Sequence, residues 1–174
     1  MTTMTNSIRI ERVPNGQVSE HDDAVLERIS AESFTQPWVP PVSQWAETEQ
    51  HFFARDEQGE IVSSLGVVRR TVIVGGTHQV NVGGIGGVMT AVAARRRGYA
   101  GALMRAAADC FRDEWKLPFG LIQTADRNLK FYQELGWWHA PCRCGSISPV
   151  ASVVPRPKRD GVDVKRRGLA GGRD

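Results

Sequence analysis

A chain of 174 residues and 19.2 kDa suits one domain of ordinary size, in which about 70% of the unfolded chain's surface becomes buried. Its 41% hydrophobic and 24% charged residues exclude a coiled-coil rod, a collagenous chain and a wholly disordered one. The net charge of +3 hides an asymmetry: residues 1–60 hold four Arg against eleven acids, net −7, and the remainder holds 18 basic against eight acidic residues, net +10, which suits two ligands of opposite charge.

Residues 8–12 alternate apolar and charged side chains and predict a short strand. Ser19, with Asp22 three residues on, resembles a capping box opening a helix with Val25, Leu26 and Ile29 on its apolar face. Residues 35–41 form a Pro-rich loop around Trp38, followed by a second helix bearing Val42, Trp45 and Ala46. Residues 51–56 and 61–74 predict strands joined through Gln58-Gly59, and Gly75-Gly76 turns the chain into a strand over 79–90.

From Tyr99 to Trp115 the period changes to helical, with Ala100, Leu103, Met104, Ala107, Phe111 and Trp115 on one face and Pro118 as the stop. A strand over 120–124 precedes a short helix over 128–135, with Asp126 as its N-cap and Gly136 ending it. Residues 137–148 predict a last strand. The domain is expected to span 1–154, followed by a basic tail over 155–174 in which only residues 162–164 are strand-like.

No apolar run approaches the roughly 18 residues of a membrane span, and Arg9, Glu11, Arg12, Glu20, Asp22 and Asp23 stand where a signal peptide needs an apolar centre. A cytoplasmic chain with no membrane partner is expected. Cys110, Cys142 and Cys144 cannot all pair within the chain, and no further His/Cys pair completes a structural zinc set, so neither a disulfide framework nor a metal is expected.

Chemistry concentrates at Arg95-Arg96-Arg97-Gly98-Tyr99-Ala100-Gly101, between a strand and the strongest helix. A helix N-terminus presents unpaired N–H groups and a partial positive charge, and a Gly/Ala-rich entry lets a phosphate approach the main chain. The Lys-Ser/Thr ending of a Walker loop is absent, and residues 83–87 lack the third glycine of a dinucleotide fingerprint, marking instead a bulge or a close backbone approach. Nucleic-acid binding is disfavoured, because no aromatic stacking residues interleave with the arginines.

Arg95-x-x-Gly98-x-Ala100, after a strand ending Gly87-Val88-Met89-Thr90, resembles the acetyl-CoA pyrophosphate motif of the GNAT acetyltransferase superfamily. Asn128-x-x-Phe131-Tyr132-x-x-x-Gly136-Trp137 is similar to that superfamily's later motif. The resemblance implies an α/β (α+β) fold with a mixed, mostly antiparallel central sheet, splayed strands four and five, and about four flanking helices. It also implies acetyl-CoA as cosubstrate, with the pantetheine arm against Val88, Met89 and Thr90 and facing Asn128. The diphosphate would lie on Arg95, Arg96, Arg97, Gly98, Tyr99, Ala100 and Gly101, and Tyr132 would act as general acid beside the thioester sulfur.

The flanking pattern is also somewhat similar to the aminoglycoside 2'-N-acetyltransferases and, more distantly, to the nodulation N-acyltransferases. Gly86 departs from it, standing where aminoglycoside-modifying relatives place a Glu. The expected activity is acetyl transfer to a primary amine of a small cationic molecule, with a homodimer left open; the alternative is a degenerate domain that binds CoA as a regulator. Trp38 and Asp126 are candidates to line the acceptor pocket, and a water, Asp126 or Glu49 to relieve the amine of its proton.

Overall fold

The structure is a computed structural model, and it describes residues 8–34, 47–140 and 151–153. Among the described residues, seven strands form one sheet in the order β1-β2-β3-β4-β5-β7-β6: β1 (Arg9–Pro14), β2 (Gln50–Arg55), β3 (Ile61–Val74), β4 (His78–Thr90), β5 (Gly120–Gln123), β6 (Trp138–Ala140) and β7 (Ala151–Val153). Every neighbouring pair is antiparallel except β4 and β5, which run parallel. This is the mixed, mostly antiparallel sheet expected from the sequence. The described residues carry three α-helices, α1 (Glu20–Ser33), α2 (Tyr99–Asp109) and α3 (Leu129–Glu134). The helix expected after Pro41, together with Trp38, Cys142, Cys144 and the tail, falls outside the described residues.

The two sheet faces follow from strand alternation. On one face α1 lays Val25, Leu26 and Ile29 against Phe53 and Ile61. On the other, α2 buries Leu103, Met104 and Ala107 against Phe52, Leu65, Val67 and Ile85. Ser19 caps α1 as its sequence predicts, accepting from the Asp22 amide at 3.1 Å. Asp22 then forms a two-pronged ion pair with Arg55 of β2, at 2.9 and 3.0 Å, which fastens the start of α1 to the sheet.

Three predicted details differ. The 99–115 periodicity covers α2 plus one π-helical turn (Cys110–Glu114), in which the Trp115 amide donates to the Cys110 carbonyl. The helix therefore stops before Pro118, and Lys116 takes a left-handed φ of 53°. Asp126 does not cap α3; it opens a 3-10 turn (Asp126–Asn128) whose preceding residue is Ala125, and Asn128 stands at the helix boundary without a side-chain capping bond. Of the last predicted strand, over 137–148, Trp138–Ala140 is a strand and residues 141–148 lie outside the described residues; β7 stands between that strand and β5, which the sequence did not predict.

Candidate active site

β4 and β5 pair only where Gly83, Gly84 and Ile85 meet Gly120, Leu121 and Ile122. β5 then ends at Gln123, whereas β4 continues to Thr90. Among the described residues, none of Gly86, Gly87, Val88, Met89 and Thr90 pairs with β5; Gly86, Met89 and Thr90 pair with β3, and the other edge of this stretch opens a wedge. A bulge falls at this point: Gly86 faces Gly66 and Met89 faces Ser64, one residue out of step, with Gly87 at φ 60°. The extra residue bends the strand, and glycine takes the left-handed backbone without a Cβ penalty. The Ser63 hydroxyl lies 2.8 Å from both the Met89 carbonyl and the Thr90 hydroxyl, clamping the end of β4 to β3.

Past Thr90, a 3-10 turn (Val92–Ala94) leads through exposed Arg95, Arg96 and Arg97 into α2. Arg96 and Gly98 both have left-handed backbones, φ 62° and 85°, so the chain folds sharply just before the helix. The first-turn amides of Tyr99, Ala100 and Gly101 have no acceptor within α2, and such a concavity of N–H groups favours an anion. Arg95 also braces the loop itself. Its guanidinium donates to the Thr90 carbonyl at 3.2 Å and to the Glu32 carbonyl at 3.4 Å, tying the loop to the ends of β4 and α1. Arg97 lies 5.8 Å from the centre of the Tyr99 ring.

Asn128 and Tyr132 converge on Thr124, the residue just beyond β5. The Asn128 amide donates to the Thr124 hydroxyl at 3.0 Å. Tyr132 is buried against Trp137, and burial raises its phenol pKa above the ordinary value, partly offset by a hydrogen bond with Thr124. The phenol therefore stays protonated throughout the neutral range and can donate but not accept a proton. Asp126 is exposed on its turn. Among the described residues no cluster of three or more His, Cys, Asp or Glu is placed to hold a metal ion.

On the α1 face a cleft of about 650 Å³ approaches the same stretch of β4, reaching Gly86, Gly87 and Met89. Its walls include Glu27 of α1, Thr48 and His51. Neither Tyr132 nor residues 95–101 line it, so wedge and cleft meet only along β4. A Cβ placed on Gly86 would touch nothing within 4 Å, and the cleft is open where a carboxylate would have stood. Glu49, considered as a base from the sequence, is engaged elsewhere: it accepts from the Arg69 amide at 2.7 Å and the Arg69 guanidinium at 2.9 Å, and Arg69 holds its carboxyl below the usual range. His51 and Thr48 were not singled out by their sequence pattern.

A family model described as an acetyltransferase (GNAT) domain matches residues 19–140. The chain belongs to this GNAT acetyltransferase family. Among solved structures, the GNAT fold recurs in Escherichia coli ElaA at 15% identity and a TM-score of 0.59, covering 85% of this chain and 99% of that one. An acyl-CoA N-acyltransferase from Pseudomonas aeruginosa is 18% identical with a TM-score of 0.59, covering 84% and 98%. A GCN5-related N-acetyltransferase from Anabaena variabilis is 20% identical with a TM-score of 0.58, covering 76% of this chain and 32% of that longer one. None of the three is described as acting on an aminoglycoside. Among curated proteins, no sequence matches significantly. At these identities the GNAT likeness is one of fold. The substrates must be argued from the site.

Proposed function

We propose that this GNAT domain transfers an acetyl group from acetyl-CoA to the primary amine of a small cationic molecule. The observation that carries the reading is the wedge. A strand edge over Gly86–Thr90 that no described residue pairs offers main-chain groups to an amide-bearing pantetheine arm, and the chain runs from it directly into the amide concavity at Tyr99, Ala100 and Gly101. CoA supplies the activated thioester; the chain's part is to hold it, exclude water and place the acceptor. The cleft on the α1 face supplies the acceptor's approach, because it reaches the same β4 residues from the opposite side to α2.

Charge supports the acceptor class. Residues 1–60 carry a net −7, and Glu27 stands in the cleft wall, whereas the arginines lie at the diphosphate end. The open space at Gly86 favours a second reading, a CoA-binding regulatory module without turnover. Free-thiol release from acetyl-CoA over a panel of cationic, neutral and anionic amines separates them. Release with a cationic amine, weakening as salt is added, fits the enzyme. A preference for anionic or uncharged acceptors without salt dependence would remove the cationic assignment, and saturable CoA binding with no release from any amine would favour the module.

A further inference from the structure

The β-sheet registers align three residues in one row: His51 of β2 faces Gly66 of β3, and Gly66 faces Gly86 of β4. All three lie on the α1 face, His51 stacking at 5.6 Å on Phe53, two residues along the same strand. The two glycines leave the row without side chains between His51 and the bulge. The hydroxyl-bearing Thr48 folds over Gly66 instead, with Oγ1 about 2.8 Å from where a Cβ would sit. His51 and Thr48 thus border the same cleft as Gly86 and Gly87.

The neighbours of the imidazole favour one tautomer. Asn15 donates its side-chain amide to Glu47 at 3.2 Å, so its Oδ1 is the acceptor that faces His51 Nε2 at 3.4 Å. The Asn15 main chain is itself pinned, donating to the Glu49 carbonyl at 2.9 Å. A ring whose Nε2 carries the proton has its lone pair on Nδ1. A base oriented by a third group in this way is a recurring feature of proton-transfer sites.

We propose that His51 is the general base that takes the acceptor amine's proton, standing in from β2 for the carboxylate that Gly86 lacks. The proposal rests on the acetyltransferase reading above. An acceptor arriving as an ammonium sheds two protons before it becomes an amide. One passes to His51 Nδ1 through water in the cleft, since His51 stands two strand spacings, about 10 Å, from Gly86, and is later released to solvent. As the nitrogen lone pair forms the new C–N bond, the C–S bond breaks, and the departing CoA sulfur takes a proton from Tyr132, which recovers the second proton from the nitrogen. Burial lowers the His51 pKa, opposed by Asp23 of α1, so the ring is neutral at pH 7 and ready to accept. Among the described residues, the other charged or polar groups facing this region are Glu27 and Ser30 from α1, Thr48, Ser64, Glu47 and Asn15.

Two measurements test this. Nitrogen NMR on the imidazole-labelled full chain reports the tautomer without needing any acceptor: the Nε2–H form is expected for His51 at pH 7, and a predominantly Nδ1–H or charged ring would overturn the proposal. Kinetics with acetyl-CoA and 1,4-diaminobutane or glucosamine, whichever releases thiol faster, should show kcat reduced about 100-fold in His51→Gln with the KM for acetyl-CoA nearly unchanged. Wild-type kcat/KM should level off above the imidazole's pKa, whereas His51→Gln should keep rising toward the amine's own. Asn15→Ala, which leaves the ring in place but frees Nε2, should lower kcat about tenfold. Unchanged kcat and pH profile in both variants would contradict the role of His51 even with the enzyme active. Failure of wild type to bind acetyl-CoA calorimetrically would instead sink the acetyltransferase reading, and His51's role with it.

Discussion

Gly83 of β4 and Gly120 of β5 face each other across the parallel seam, and the ring of Phe111 lies flat on both. A Cβ on Gly83 would stand 2.5 Å from three atoms of that ring, and one on Gly120 would stand 3.0 Å from it and 3.2 Å from Trp137. The seam that opens into the wedge is therefore built on two missing side chains. Gly83→Ala should cost about 1–3 kcal/mol through overpacking, read as a lower denaturant midpoint with an unchanged slope. A variant as stable as wild type would show that Phe111 can move aside and that this packing does not set the seam.

The entry to α2 depends on left-handed backbone at Gly98. With φ at 85°, an alanine there should cost about 1–2 kcal/mol, although only Ile8 lies as near as 4.0 Å to its Cβ. Gly98→Glu adds a negative charge beside the amide concavity, and calorimetry should show at least tenfold weaker acetyl-CoA binding than Gly98→Ala. Equal affinities in the two variants would remove the diphosphate from this turn.

Acid should weaken the attachment of α1 to the sheet. Arg55 holds the Asp22 carboxyl below its ordinary pKa, and both side chains are largely buried, 13% and 14% exposed. A carboxylate lowered in this way stabilises the fold above its unfolded pKa, near 3.9, and that contribution is lost as pH falls through the folded value. Thermal melts should therefore lose stability below about pH 4 in wild type and less steeply in Asp22→Asn. At pH 7, Asp22→Asn should be less stable by about 2 kcal/mol, since it weakens a partly buried pair and leaves Arg55 short of one partner. Parallel melting curves for the two proteins across this range would assign acid lability to other groups.

Tyr132 is buried beside Trp137, so removing the hydroxyl leaves the ring packing intact. Tyr132→Phe should keep acetyl-CoA affinity and lower kcat toward 100-fold, the lower end for a general acid whose leaving group is already a fair one. Because burial raises the phenol pKa, no falling limb from this residue should appear below pH 10 in the wild-type profile. Unchanged turnover in the variant would leave Tyr132 a packing residue.

Much of the architecture was legible because it is local. Alternation gave β3 and β4 nearly to the residue, the 3.6-residue period gave α2, and Ser19 marked the start of α1. The bulge was legible too, since a run of glycines in a strand has few other uses. What escaped was set by distant pairing. The insertion of β7 between β5 and β6 rests on three-residue strands too short for a pattern. The π turn at Cys110 carries Phe111, whose ring packs on glycines of two other elements, a contact no local pattern announces. The bracing contacts of Arg95 to two carbonyls were not legible either, since only the fold brings those carbonyls near. His51 is a lone histidine in a strand; its alignment with Gly66 and Gly86 exists only once β2, β3 and β4 are in register.

The central claim is that acetyl-CoA lies along β4 and ends at the start of α2, and chemical-shift mapping of the full chain during titration with acetyl-CoA tests it most directly. The predicted result is saturable shifts concentrated at the amides of residues 86–90 and 98–101. Shifts confined to other surfaces, or none at millimolar acetyl-CoA, would contradict it.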